Sequence, residues 1–207
     1  EEDPSRDRLV FAQVVQDGDW DPTAKGVVHL LKFIESNTTL EVQFKRQAVS
    51  LDQAAALKYP MLYMTGHLDF KLSEAEVAGL RNYLRAGGFL FADACCGRKS
   101  FDRAFRREIK KALPEFDLKP LPADHPLFTT ALDARQVSYS GQLAALQPNL
   151  KTPQLEAVQM GGRLAVVYSK FDLGNGWENI PHPYSLGYSP QDALRLGANA
   201  VVYSMTH

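Results

Sequence analysis

Apolar positions along this chain fall into blocks whose spacing switches between that of a strand and that of a helix. After a polar start, 9–15 form a mostly apolar run that reads as a strand, and Asp17-Gly18-Asp19-Trp20-Asp21-Pro22 follows as a turn-rich loop. Thr23 then reads as the cap of a helix in which Ala24, Val27, Val28, Leu31 and Ile34 share one face, with Asn37 as its end. A second strand is expected over 40–44. The segment 52–58 is short and helix-compatible until Tyr59-Pro60 breaks it, and a third strand follows over 61–65. Ser73 and Glu76 have the spacing of a capping box, Val77, Leu80 and Leu84 lie on one face, and Gly87 supplies the stop. That stop delivers the chain into Phe89-Leu90-Phe91-Ala92, a continuous apolar run of the kind seen in strands covered on both faces.

Ser100 reads as the cap of the next helix, where Phe101, Phe105, Ile109 and Leu113 recur until Pro114. Prolines at 120, 122, 126, 148 and 153 break the stretch 118–159 into short strands and loops, a small irregular or antiparallel extension. A further strand is expected over 163–169, then a loop over 172–188 rich in Gly, Pro and aromatic residues. Ser189-Pro190 opens a last helix with Ala193, Leu196, Ala200 and Tyr203 on one face. Strand and helix alternate with connections too long for hairpins, which implies right-handed crossovers. The pattern predicts one α/β domain over 1–207, a doubly wound, mainly parallel sheet with helices on both faces, preceded by a flexible tail over 1–8.

Composition narrows the function classes. The chain has 207 residues, enough for a full core, and its 23 basic and 24 acidic residues leave a formal net charge of -1. No whole-chain field therefore draws it to nucleic acid. The local basic run from Arg98 to Lys111 reads as a solvated helix face. No apolar run is long enough to span a bilayer. The chain begins Glu1-Glu2-Asp3-Pro4 without a methionine, which favours an exported or periplasmic mature form over a cytoplasmic one. Its two cysteines are sequence neighbours and cannot staple distant segments. No glycine-rich phosphate cradle of the dinucleotide or P-loop type occurs.

The segments "FAQVVQDGDWDP", "YPMLYMTGHLDFKLSEAEVAGLRNYLRAGGFLFADACCGRKSFDRAFRREI", "LPADHPLF", "GGRLAVVYSKFDLGNGWE" and "LGANAVVYSM" together cover nearly the whole chain. They resemble a bacterial family of domains of unknown function, seen alone and attached to prenyltransferase-like helical repeats. That family looks like a branch of the class I glutamine amidotransferase-like fold, and "LSEAEVAGLRNYLRAGGFLFAD" is similar to the matching helix and strand of ThuA-like proteins. The resemblance implies a flavodoxin-like sheet and no particular reaction. Amidotransferases of this fold carry a Gly-x-Cys-x-Gly elbow and a late His-x-Glu pair; here Asp93 replaces the glycine before Cys95 and no His-x-Glu occurs.

In an open α/β sheet the ligand crevice lies outside the carboxyl ends of the strands. The loops expected there hold Asp17, Asp19 and Trp20, then Gly66, His67 and Asp69, then Asp93, Cys95 and Cys96, and finally Lys170 and Asp172, with His125 and His182 in loops that can fold over them. The leading expectation is a ligand-binding domain for a carbohydrate or other small metabolite, its site formed by Asp19, Trp20, Gly66, His67, Asp93, His125 and Asp172. The rival is a cysteine-dependent hydrolase or transferase in which Cys95 or Cys96 is the nucleophile and His67 or His125 its base. Asp93 then either orients His67 or contacts ligand, unless it caps the turn. A third reading is a soft metal ion on Cys95, Cys96, His67 and His125, or an interaction module with a protein partner. No cofactor is specified. Successive residues leaving a strand point to opposite sides, so the two cysteines are expected to be unequal. The acids at 17, 19 and 21 have calcium-loop flavour but lack the distal ligand of an EF-hand, which favours a turn with Trp20 packed over it. Trp177, Tyr184 and Tyr188 either line a ring-shaped ligand or cover the sheet.

Overall fold

The computed structural model describes residues 8–180 and 182–207. The tail expected over 1–8 lies outside them except for Arg8, which already opens the first strand. Seven strands form one sheet: β1 (Arg8–Val14), β2 (Glu41–Val49), β3 (Met61–Gly66), β4 (Phe89–Ala94), β5 (Lys119–Pro120), β6 (Leu155–Met160) and β7 (Arg163–Ser169). Their order is β2-β1-β3-β4-β7-β6-β5. The first five in that order pair in parallel, and β7-β6-β5 pair antiparallel. Gly161 and Gly162, both at positive φ (58° and 86°), make the tight two-residue turn that lets β6 fold back along β7. This is an α/β architecture with a mostly parallel sheet and an antiparallel edge.

The helices are α1 (Ala24–Asn37), α2 (Glu74–Arg85), α3 (Lys99–Ala112), α4 (Gly141–Leu146), α5 (Gly174–Glu178) and α6 (Pro190–Thr206). Strand residues alternate between two cores. Phe11, Tyr63, Phe91 and Val167 face α1 and α6 through Leu30, Leu31, Leu196 and Val201, with Trp177 of α5 among them. Ala12, Leu62, Leu90 and Val166 face α2 and α3 through Leu80, Leu84, Phe101 and Phe105. Both faces are thus covered, and β3 and β4 are buried at every position.

Several elements differ from the sequence pattern. The buried face of α1 is Val27, Leu30, Leu31 and Ile34, while Val28 is 37% exposed. Thr23 makes no capping bond because its side chain is buried against Gly174. Ser100 lies inside α3 rather than before it; its hydroxyl donates to the His67 carbonyl at 2.5 Å. The second strand runs on to Val49, and the loop after Asp172 contains the short α5. Cations of α3 are paired with acids, Arg106 with Asp102 and Glu156, Arg107 with Asp69 and Glu108, and Lys110 with Asp117. Among the described residues no helix is long and apolar enough to cross a membrane.

The capping box of α2 forms as its spacing predicts: Ser73 Oγ accepts from the Glu76 amide at 3.2 Å, and the Glu76 carboxylate accepts from the Ser73 amide at 2.8 Å. Ser73→Ala is expected to lower stability by about 1 kcal/mol, read as a lower thermal midpoint with the site's thiol chemistry unchanged. An unchanged midpoint would show that the cap contributes nothing to the folded state.

Candidate functional site

The carboxyl ends of β1, β3 and β4 lie side by side, and together they supply Asp19, His67 and the two cysteines. After β1 the chain turns through the acidic loop, whose three acids take separate partners. Asp17 accepts from the Lys71 amide at 2.8 Å, and Asp21 pairs with the Arg46 guanidinium. Asp19 turns inward. Its Oδ1 accepts from the backbone N–H groups of His67 and Leu68 at 2.8 and 2.9 Å, and its Oδ2 lies 2.6 Å from His67 Nδ1. Burial pulls the Asp19 carboxyl upward, but the Leu68 and His67 amides outweigh it, so it sits below the usual carboxylate value. Gly66 makes this approach possible, since a Cβ there would come within 2.9 Å of Phe101 and 3.0 Å of the Asp19 carbonyl.

The strand β4 ends in a single tight turn, Cys95–Gly97, before α3. Cys96 adopts φ 56° and ψ 12°, a left-handed conformation uncommon outside glycine and asparagine. Gly97 follows at φ 66°, and a Cβ on it would press within 2.9 Å of the Leu186 carbonyl. The Cys96 carbonyl accepts from the Leu186 amide at 3.3 Å, and the Cys96 amide donates to the Asp172 carboxylate. Asp172 also accepts from the Asn175 amide and the Ser185 hydroxyl, both at 2.9 Å. The 172–186 segment therefore holds the turn in place.

His67, Cys95 and Cys96 place one ring nitrogen and two sulfurs all within 4.8 Å of one another. The Asn175 side-chain amide donates to Cys96 Sγ at 3.2 Å and to Cys95 Sγ at 3.8 Å, and His182 Nδ1 lies 3.8 Å from Cys96 Sγ. These contacts make the cysteines unequal. Hydrogen bonding from the Cys95 thiol, then from His67 and Asn175, outweighs burial and lowers the Cys96 thiol to about 4. Cys95 is driven far the other way, first by that same bond to Cys96 and then by burial. His67 is raised to about 9, above all by its bond to Cys96, with burial opposing and Asp19 adding to the rise. Both shifts favour the ion pair of a Cys96 thiolate and a His67 imidazolium over the neutral pair. Asp172 is raised to about 7, by burial first and the nearby Asp93 second.

Three residues anticipated for the site lie elsewhere. His125 caps the turn at Pro126–Thr129, its Nδ1 accepting from the Leu127 amide at 3.1 Å. Its ring is 6.0 Å from that of Tyr203, near the far end of α6 from Ser189, which enters the helix beside the site. Trp20 packs under Arg46, with its carbonyl held by the Gln13 amide at 2.5 Å. Asp93 is fully buried, bonded to the Tyr63 hydroxyl at 2.5 Å and the Leu173 amide at 2.8 Å, so Asp19 and not Asp93 orients His67. Trp177 is core, with Nε1 donating to the Ala193 carbonyl at 2.8 Å, and Tyr184 is exposed. Asn175 carries no chemical signature in the sequence; Asp172, three residues earlier and also after β7, was the nearest indication.

A cleft of about 430 Å³ lies against this group. Asn175, Asn179, Ile180, His182, Ser185 and Tyr188 contribute to its walls, so two of the side chains that touch the Cys96 sulfur also face the cleft. His67, Cys95 and Cys96 are also the donor set that suits a soft metal ion, with His182 nearby; His125, the expected fourth donor, is out of reach.

The family model described as a domain of unknown function (DUF4159) matches residues 10–205. No curated protein matches the chain.

Proposed function

The chain belongs to the DUF4159 family, and we propose that it is a cysteine-dependent acyl-transfer enzyme, a hydrolase or transferase with Cys96 as nucleophile, His67 as acid and base, and Asp19 as the group that orients His67. One observation carries the reading: the left-handed turn at Cys96, between a buried strand and a helix, brings its sulfur to a histidine already held by a carboxylate. A strained strand-to-helix turn is how α/β enzymes present a nucleophile, and a nucleophile–base–orienter set is recognised by geometry, not by sequence order. The strand order β2-β1-β3-β4-β7, parallel throughout, supports a flavodoxin-like, doubly wound sheet of the amidotransferase type.

In this reading the Cys96 thiolate attacks the carbonyl carbon of an acyl donor and a C–S bond forms. His67 gives its proton to the departing group as the carbon–heteroatom bond breaks. Neutral His67 then takes a proton from water or an alcohol, whose oxygen attacks the thioester; the C–S bond breaks, and thiolate and imidazolium are restored. In this reading the Asn175 amide, 3.2 Å from Cys96 Sγ, is the donor that meets the negative charge developing on the carbonyl oxygen.

Incubation with p-nitrophenyl acetate tests this directly. The expected result is a burst of nitrophenol with the acetyl group on the peptide containing Cys96, abolished in Cys96→Ser and retained in Cys95→Ser. Acetylation of lysines alone would sink the proposal. The second reading is a soft metal ion on His67, Cys95 and Cys96, favoured by the convergence of their donor atoms. It predicts stoichiometric zinc in the purified protein and thiols that become reactive only after chelation.

A further inference from the structure

Resting on the acyl-transfer reading, we infer that the substrate is an uncharged acyl compound whose remainder carries amide or hydroxyl groups, held in the cleft between α4 and the 175–190 segment. The cleft is about 430 Å³, within the usual range for a small-molecule site. It is joined to the nucleophile by contact, since Asn175 and His182 both line it and both reach the Cys96 sulfur. Apart from the His182 imidazole, its polar side chains are amides and hydroxyls, among them Gln142, Asn175, Asn179 and Ser185, beside the apolar faces of Ile180 and Tyr188.

No lysine, arginine, aspartate or glutamate is among the described residues that line it. A carboxylate or phosphate entering the cleft would lose hydration and find no fixed cation in exchange. Behind the lining the Ser185 hydroxyl donates to the buried Asp172 carboxyl at 2.9 Å, which leaves its oxygen free to accept from an amide or hydroxyl of the ligand. Carboxamide side chains carry both donors and an acceptor, so they satisfy an amide or hydroxyl without a net charge on either partner. The cleft near Leu132 shows the contrast within this fold, since it is lined by Asp133, Arg135 and Arg195.

The experiment compares the p-nitrophenyl esters of N-acetylglutamine and N-acetylglutamate, which match in shape and differ in charge. With the wild-type protein kcat/KM is expected to favour the glutamine ester by 10-fold or more, an order of magnitude set by one unpaired charge. Gln142→Lys, which adds a cation to the wall, is expected to shrink that ratio by several-fold. Equal turnover of the two esters, with Cys96 still acylated by p-nitrophenyl acetate, would overturn the substrate class and leave acyl transfer standing. Failure of every ester to acylate Cys96 would remove both.

Discussion

Iodoacetamide is expected to alkylate Cys96 at pH 6 at nearly its full rate, while Cys95 stays unmodified in the folded protein. An ordinary thiol titrates near about 8.5 and is only a few tenths of a percent ionised at pH 6. Cys96, lowered to about 4, is already ionised there. His67→Ala removes one of the bonds that holds the thiolate, and Cys95→Ala removes the largest. Each is expected to move the labelling profile toward higher pH, and if the thiol returns to ordinary behaviour the rate at pH 6 falls on the order of 100-fold. The two limbs of the pH profile have separate causes. Below about 4 the thiolate is protonated, and above about 9 His67 loses the proton it gives to the leaving group. Turnover of an ester should therefore be bell-shaped, whereas alkylation, which needs no acid, should lack the high-pH fall. A labelling profile centred near the ordinary thiol value in the wild-type protein would remove the activated nucleophile.

Asp93→Ala should destabilise the fold by about 3 kcal/mol, because it strips the acceptor from buried donors that have no water to turn to. Tyr63 donates to one carboxylate oxygen, and the amides of Leu173 and Gly174 donate to the other at 2.8 and 3.4 Å. The Tyr63 ring is fixed among Phe11, Phe91 and Trp177 and cannot swing to another partner. Asp93→Asn keeps an acceptor and should lose less. Urea unfolding measures both, as a lower midpoint at constant slope. The same loss should slow Cys96 labelling by loosening the segment that carries Asn175. Undiminished stability in Asp93→Ala would instead mark Asp93 as a group kept for ligand at the expense of the fold, which is the role first expected of it.

The strand and helix pattern was legible because burial imposes it locally. The continuous run Phe89-Leu90-Phe91-Ala92 reads as a strand covered on both faces, and it is buried throughout. Ser73 and Glu76 needed nothing beyond their own helix to form the box. The candidate site was legible to the extent that strand ends predict it: Asp19, Gly66, His67, Cys95 and Cys96 do meet at one edge, because parallel strands put every following loop on the same side.

What the sequence alone determined, then, is a set of short-range consequences: which segments are apolar on one face or two, where α2 and α6 start, and which loops share an edge. The tertiary structure decided which side chain within a loop meets which. Asp19 and not Asp93 holds His67, because Asp93 is claimed by Tyr63 and the Leu173 amide from elements 30 and 80 residues away in the chain. Cys96 and not Cys95 has the closer donors at its sulfur, because the left-handed turn sends it to His182 and Asn175, and Asn175 arrives from a segment 79 residues distant. Periodicity reports burial along one element. Hydrogen-bond partners across the sheet edge depend on loop paths that only packing of the whole chain fixes.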